Sequence, residues 1–201
     1  MKNLAGLCVF VLVACGSKKE PPAVKIDAAA VNALVPEPLK AKLEFVEKSV
    51  AEERGRSKTI YTLAAPKTWT EGDSKMKMFA KLEPPSSDGF GNFTGFQFGS
   101  NCDGKCEEKD WAKVSEKVNF AQFRGKKILK DEVGKTSHLM VVEDGDDTFI
   151  TYAWWVDGGE NYYTCRATLS KGFSSEALDP RAAVPAFEKA CQAVNVKNTD
   201  D

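Results

Sequence analysis

The sequence predicts an α+β fold: a mostly antiparallel β-sheet packed with two helices, one near residues 108–120 and one at the C-terminus. Three observations predict it. Short apolar runs alternate with polar residues repeatedly between residues 43 and 169, which is the period-2 pattern of strands. Turn signals join some of these runs directly: Asp144-Gly145-Asp146-Asp147 and Asp157-Gly158-Gly159-Glu160 leave no length for a crossover helix, so the flanking strands are antiparallel. Helical spacing of apolar residues occurs twice, at Trp111, Val114 and Val118 and again at Val184, Phe187, Cys191 and Val194.

Taken in order, Leu43 to Val50 alternates Leu43, Phe45 and Glu47 as a strand, and Glu52 to Arg56 is a charged turn. Lys58 to Ala64 is a β-branched and aromatic strand that ends at Pro66. Met76 to Leu82 is a third strand, stopped by Pro84-Pro85, and Phe93 to Phe98 a fourth. Asp110 is placed to cap the first helix. Lys126 to Lys130, His138 to Val142, Thr148 to Val156 and Tyr162 to Leu169 complete the strands. The last helix covers about 180–193.

The ends of the chain carry different information. The chain has 201 residues, 28 Lys+Arg against 29 Asp+Glu and a net charge of −1, which gives no general electrostatic attraction to nucleic acid. Lys2 precedes an apolar run from Leu4 to Val13, the length of an export-signal core and too short to span a bilayer. Residues 16–38 hold Pro21, Pro22, Pro36 and Pro38 among Lys, Ala and Glu, the composition of an extended spacer. The expected organisation is a signal at 1–14, a tether at 15–40, one domain at 41–197 and a tail at 198–201.

Leu12-Val13-Ala14-Cys15, at the end of that apolar run, resembles the lipobox of bacterial lipoproteins. The resemblance implies cleavage before Cys15 and acylation of its thiol, so that membrane attachment runs through a lipid rather than a helix. Gly16, where some lipoproteins carry a retention Asp, implies an outer-membrane address. Tyr61-Thr62-Leu63-Ala64-Ala65-Pro66 with Trp69, and the final strand-then-helix unit, resemble the PsbP-like architecture, a sheet flanked by helices.

An exported chain with an even number of remaining cysteines favours disulfides. Cys165 shares a face with Tyr163, Ala167 and Leu169, and Cys191 faces inward from the last helix, which predicts Cys165–Cys191. Cys102-Asp103-Gly104-Lys105-Cys106 then closes a tight loop of its own. Its spacing fits neither a Cys-x-x-Cys redox helix start nor a four-cysteine zinc site.

No catalytic, metal or cofactor signature emerges. His138 is the single histidine and sits in a strand beside Leu139 to Val142, with no nucleophile placed near it by sequence. Asp144 to Asp147 lacks the ligand spacing of a calcium loop, and Gly89 to Gly95 is not a phosphate cradle because it leads into a strand. Trp154 and Trp155 point to opposite faces of a strand, so one is exposed unless both faces are covered. With Tyr152 and Tyr162 they form the candidate binding surface. The expected function is a membrane-anchored, non-enzymatic envelope lipoprotein that binds a protein partner or serves in assembly. The alternatives are an envelope hydrolase using carboxylates and a small-ligand or lipid-binding module, which would show an apolar cavity lined by Phe and Trp.

Overall fold

A computed structural model of the chain describes residues 21–54, 57–72, 79–101, 110–115, 120–123, 125–155, 162–172 and 178–200. The expected α+β class is observed, with two antiparallel sheets in place of one. The smaller sheet pairs β1 (Phe45–Arg54) and β10 (Asn195–Asp200) on either side of β2 (Ser57–Pro66). The larger has seven strands in the order β3-β4-β5-β9-β8-β7-β6: β3 (Thr70–Glu71), β4 (Ala80–Glu83), β5 (Gly95–Asn101), β6 (Lys127–Val133), β7 (Ser137–Asp144), β8 (Asp147–Trp155) and β9 (Tyr162–Ser170). The helices are α1 (Ala28–Asn32), α2 (Trp111–Ser115) and α3 (Val184–Gln192), the last extending a 3-10 turn at Pro180–Ala183.

The register of the large sheet sorts its side chains into two faces. Phe96 on β5, Ala167 on β9, Ile150 on β8 and Val141 on β7 stand in one row, and Phe98, Cys165, Tyr152 and Leu139 in the next. This face is covered by α3 and by the small sheet. Phe187 of α3 lies 5.1 Å from the Phe96 ring and 5.2 Å from that of Phe45 on β1. Trp69 completes the cluster, with its ring centroid 5.5 Å from that of Phe187. Each such ring removes a large apolar area from water and gains about 0.5–1.5 kcal/mol from ring geometry beyond that area. Cys165 and Cys191 join β9 to α3 with Cα atoms 5.4 Å apart, as expected. The second expected pair, Cys102 and Cys106, lies outside the described residues.

Several boundaries differ from the sequence reading: the expected turn at residues 52–56 is strand through Arg54, with Glu52 buried, and β5 runs Gly95–Asn101 in place of 93–98. The tether was expected to run to residue 40, yet Val31, Val35 and Leu39 are in the main core at 1%, 4% and 3% exposure. Two asparagine side chains clip this segment to the domain. Asn32 donates to the Phe45 carbonyl at 2.8 Å and accepts from its N–H at 2.7 Å. Asn195 makes the same exchange with Val24, at 2.7 and 2.6 Å. Such amide pairs imitate a strand ladder, so the backbone is satisfied without a regular element. The expected tail at 198–201 is also corrected, because Asn198, Thr199 and Asp200 continue β10 along β2. Finally, β6 runs to Val133, not Lys130, with a bulge between Ile128 and Lys130. It is an exposed edge strand carrying Lys127, Lys130, Asp131 and Glu132, charges that oppose edge-to-edge pairing.

Candidate functional site

The opposite face of the large sheet is only partly covered. At one end, Trp111 and Val114 of α2 pack on Ala153, Trp155 and Tyr162. Toward β7, Phe123 packs on Met140, Val142 and Phe149, with its ring 5.6 Å from that of Phe149. Between these two covers a cleft of about 570 Å³ opens over β5, β9 and β8.

Its floor is a row of polar side chains fixed by strand register. Gln97 on β5, Arg166 on β9 and Thr151 on β8 stand opposite one another, and Thr168 follows Arg166 on the same face. Alternation along β9 dictates this: Tyr163, Cys165, Ala167 and Leu169 enter the core, so Arg166 and Thr168 must leave it. Phe93, Phe123 and Phe149 supply apolar wall, with Lys81, Glu83, Asn92, Gln122 and Asp147 also lining the cleft.

Gly91 holds one wall in place. Its N–H donates to the Ser170 carbonyl at 2.9 Å, and a Cβ there would come within 2.6 Å of Ser170 Cβ and 2.8 Å of the Ser170 and Lys171 carbonyl oxygens. Thr94 locks the same junction, its hydroxyl donating to the Ser170 carbonyl at 3.2 Å and accepting from the Ser170 N–H at 3.0 Å. The loop therefore lies directly on the end of β9 and carries Phe93, 73% exposed, to the rim of the cleft.

Arg166 is the unusual group. It is half-buried, its Nε is buried with no hydrogen-bond partner, and among the described residues it forms no ion pair. Burial pushes its pKa below the ordinary guanidinium value, with the nearby Tyr162 hydroxyl acting in the opposite direction. It stays protonated at neutral pH. A partly desolvated charge without an ion pair is costly, and an oxyanion meeting the guanidinium from the cleft offsets that cost.

The residues expected to bind are placed differently. Trp154 and Trp155 are buried, at 7% and 8% exposure, because the sheet is covered on both faces at this end. Trp154 packs in the main core against Tyr152 and Tyr163, with ring centroids 5.3 and 5.8 Å away. Trp155 and the buried Tyr162 pack under α2, and Tyr152 is half-buried. Of the two outcomes that alternation leaves open, one exposed indole or cover on both faces, the second is observed. His138 is buried and its Nε2 lies 2.6 Å from Asp131 on the neighbouring strand, a structural pairing. Asp144 and Asp147 close the expected hairpin, with Gly145 at a φ of +62°. Among the described residues, no group of three or more His, Cys, Asp or Glu is arranged to hold a metal, and no helix is long and apolar enough to cross a membrane. Cys15 lies outside the described residues.

No protein-family model matches the chain, and no curated protein matches its sequence. Among solved structures it is similar to the Ran-binding protein Mog1p of Saccharomyces cerevisiae. The two share 10% identity over 75% of this chain and 95% of that one, with a TM-score of 0.47.

Proposed function

We propose that this chain is a lipid-anchored envelope lipoprotein whose domain is a non-enzymatic binding module, with the cleft over β5, β9 and β8 as its binding surface. The anchor rests on Leu12-Val13-Ala14-Cys15 at the end of an export-type apolar run. Acylated Cys15 would hold the domain at a membrane, and Gly16 favours the outer one. A second disulfide, Cys102–Cys106, belongs to the same reading, since an exported chain meets an oxidising compartment.

The observation that carries the binding role is the cleft itself. Its volume lies within the roughly 300–1,000 Å³ of small-molecule sites, and it joins an apolar wall to a few convergent polar groups. Of the classes drawn from sequence, this favours the ligand-binding module over a protein-docking role, with Phe149 and Phe123 as lining in place of Trp.

The test uses crosslinking in intact cells. Palmitate labelling and membrane recovery are expected for the wild-type protein and lost in Cys15→Ala. Gln97→Trp, which fills the cleft, is expected to abolish the crosslinked species while the melting temperature is kept. Labelling that persists in Cys15→Ala contradicts the anchor, and crosslinks that survive Gln97→Trp contradict the binding surface.

A further inference from the structure

We infer that the cleft selects a singly charged amphipathic anion, with one carboxylate or phosphodiester seated on Arg166 and an apolar body against Phe93 and Phe149. This rests on the cleft being the binding surface, and it names the ligand class.

Three observations carry it. The first is Arg166 in the cleft floor, a half-buried guanidinium with no ion pair among the described residues. A guanidinium presents paired N–H donors in a fixed fork that matches two oxygens of one oxyanion. Lysine would not offer that geometry. The second is the polar row around it. Gln97 and Thr151 flank Arg166 in register, and Thr168 lies next along β9, so amide and hydroxyl groups line the same floor. Arg166 is the one charged group among these four side chains.

The third is the charge balance of the surrounding walls. Lys81 lines the cleft with Glu83, their charged ends 4.0 Å apart, and Asp147 lies on it as well. Lys81 and Arg166 balance Glu83 and Asp147, so the first negative charge on a ligand is met by Arg166 and a second or third finds no further unpaired cation among the described residues lining the cleft. A polyanion such as a nucleotide or inorganic pyrophosphate is therefore disfavoured, while a lone oxyanion is accepted. Phe93 and Phe149 offer ring surface for an apolar body, Phe93 being largely exposed at the rim.

The chemistry is shared by a free aromatic or aliphatic carboxylate and by an anionic lipid headgroup, and the probes separate them. Isothermal calorimetry would use the lipidated full-length protein in nanodiscs of zwitterionic lipid. The probes are phenylacetate, short-chain dihexanoylphosphatidylglycerol below its micelle concentration, the neutral 2-phenylethanol, and pyrophosphate. At least one singly charged probe is expected to bind, with 2-phenylethanol and pyrophosphate each weaker by about tenfold or more. Tighter binding of phenylacetate points to a free carboxylate, and tighter binding of the short lipid to a headgroup. Arg166→Met should weaken phenylacetate by about tenfold or more and so remove the preference for charge over 2-phenylethanol. Equal affinity for charged and neutral probes, or unchanged phenylacetate binding in Arg166→Met, overturns the anion assignment but leaves the cleft as a binding surface. Absence of heat with every probe also overturns it, and the binding-surface reading then stands or falls on Gln97→Trp in cells.

Discussion

The Tyr61 hydroxyl donates a 2.8 Å hydrogen bond to Glu52, a carboxylate only 1% exposed, and Ser100 donates to the same oxygen from its N–H at 3.0 Å. Tyr61 and Glu52 belong to the small sheet and Ser100 to β5, so the contact ties the two sheets together. Burial, then the neighbouring Glu52 charge, push the Tyr61 pKa well above its ordinary value. The folded chain therefore holds the phenolic proton more tightly than the unfolded one. That stability is complete below about pH 10, the unfolded value, and is lost as pH rises above it. Tyr61→Phe should lose about 1.5–3 kcal/mol at neutral pH, the worth of a hydrogen bond to a charged group. It should also flatten the alkaline limb of the stability curve by about one proton. Urea titrations between pH 7 and 11 measure both, and an unaltered alkaline slope would contradict the assignment.

The Cys165–Cys191 bridge closes a sequence separation of 26 residues. The chain-entropy model gives it roughly 3 kcal/mol. Cys165→Ala with Cys191→Ala should lower the melting temperature by about 6–12 °C. A fall under a degree would mean that the aromatic cluster around Phe187 fixes α3 unaided.

Trp154 and Trp155 are buried on opposite faces of one strand. Replacing either by Ala should cost about 3–5 kcal/mol. Thermal melts of the two variants check this. A variant that melts like the wild type would place that indole at the surface after all.

Gly91 allows the loop to lie against Ser170. Gly91→Ala should cost about 1–3 kcal/mol, since the clash is with backbone oxygens that cannot swing away. It should also move Phe93 and weaken occupancy of the cleft. Melting and calorimetry on the same variant separate the two effects, and unchanged ligand affinity would show that the loop is not a wall of the site.

Legibility in the sequence followed the range of the interaction. Alternation from Tyr162 to Leu169 placed Cys165 in the core, and the spacing of Phe187 and Cys191 placed α3, because both patterns are local. The hairpin at Asp144–Asp147 was equally local. The clips by Asn32 and Asn195 were not legible, since each amide meets backbone far from its own position in the chain. The strand Asn195–Asp200 was missed because an edge strand needs no apolar alternation, and its residues are mostly polar. The candidate site was half visible. Arg166 could be assigned to the face opposite Cys165 from alternation alone. That Gln97 and Thr151 stand beside it depends on the pairing of three strands, which sequence spacing does not encode. Covering of both sheet faces by α3 and α2 was likewise nonlocal, and it removed the tryptophans from the surface.

The cleft over β9 is the proposed place where the protein meets its ligand. Its most direct test is a photo-crosslinking amino acid at position 93, on the cleft rim, compared with position 129 on the exposed β6 edge, in intact cells carrying the wild-type anchor. A discrete adduct is expected from position 93, lost when Arg166→Met is combined with it, and none from position 129. An adduct from position 129 and none from position 93 would contradict it.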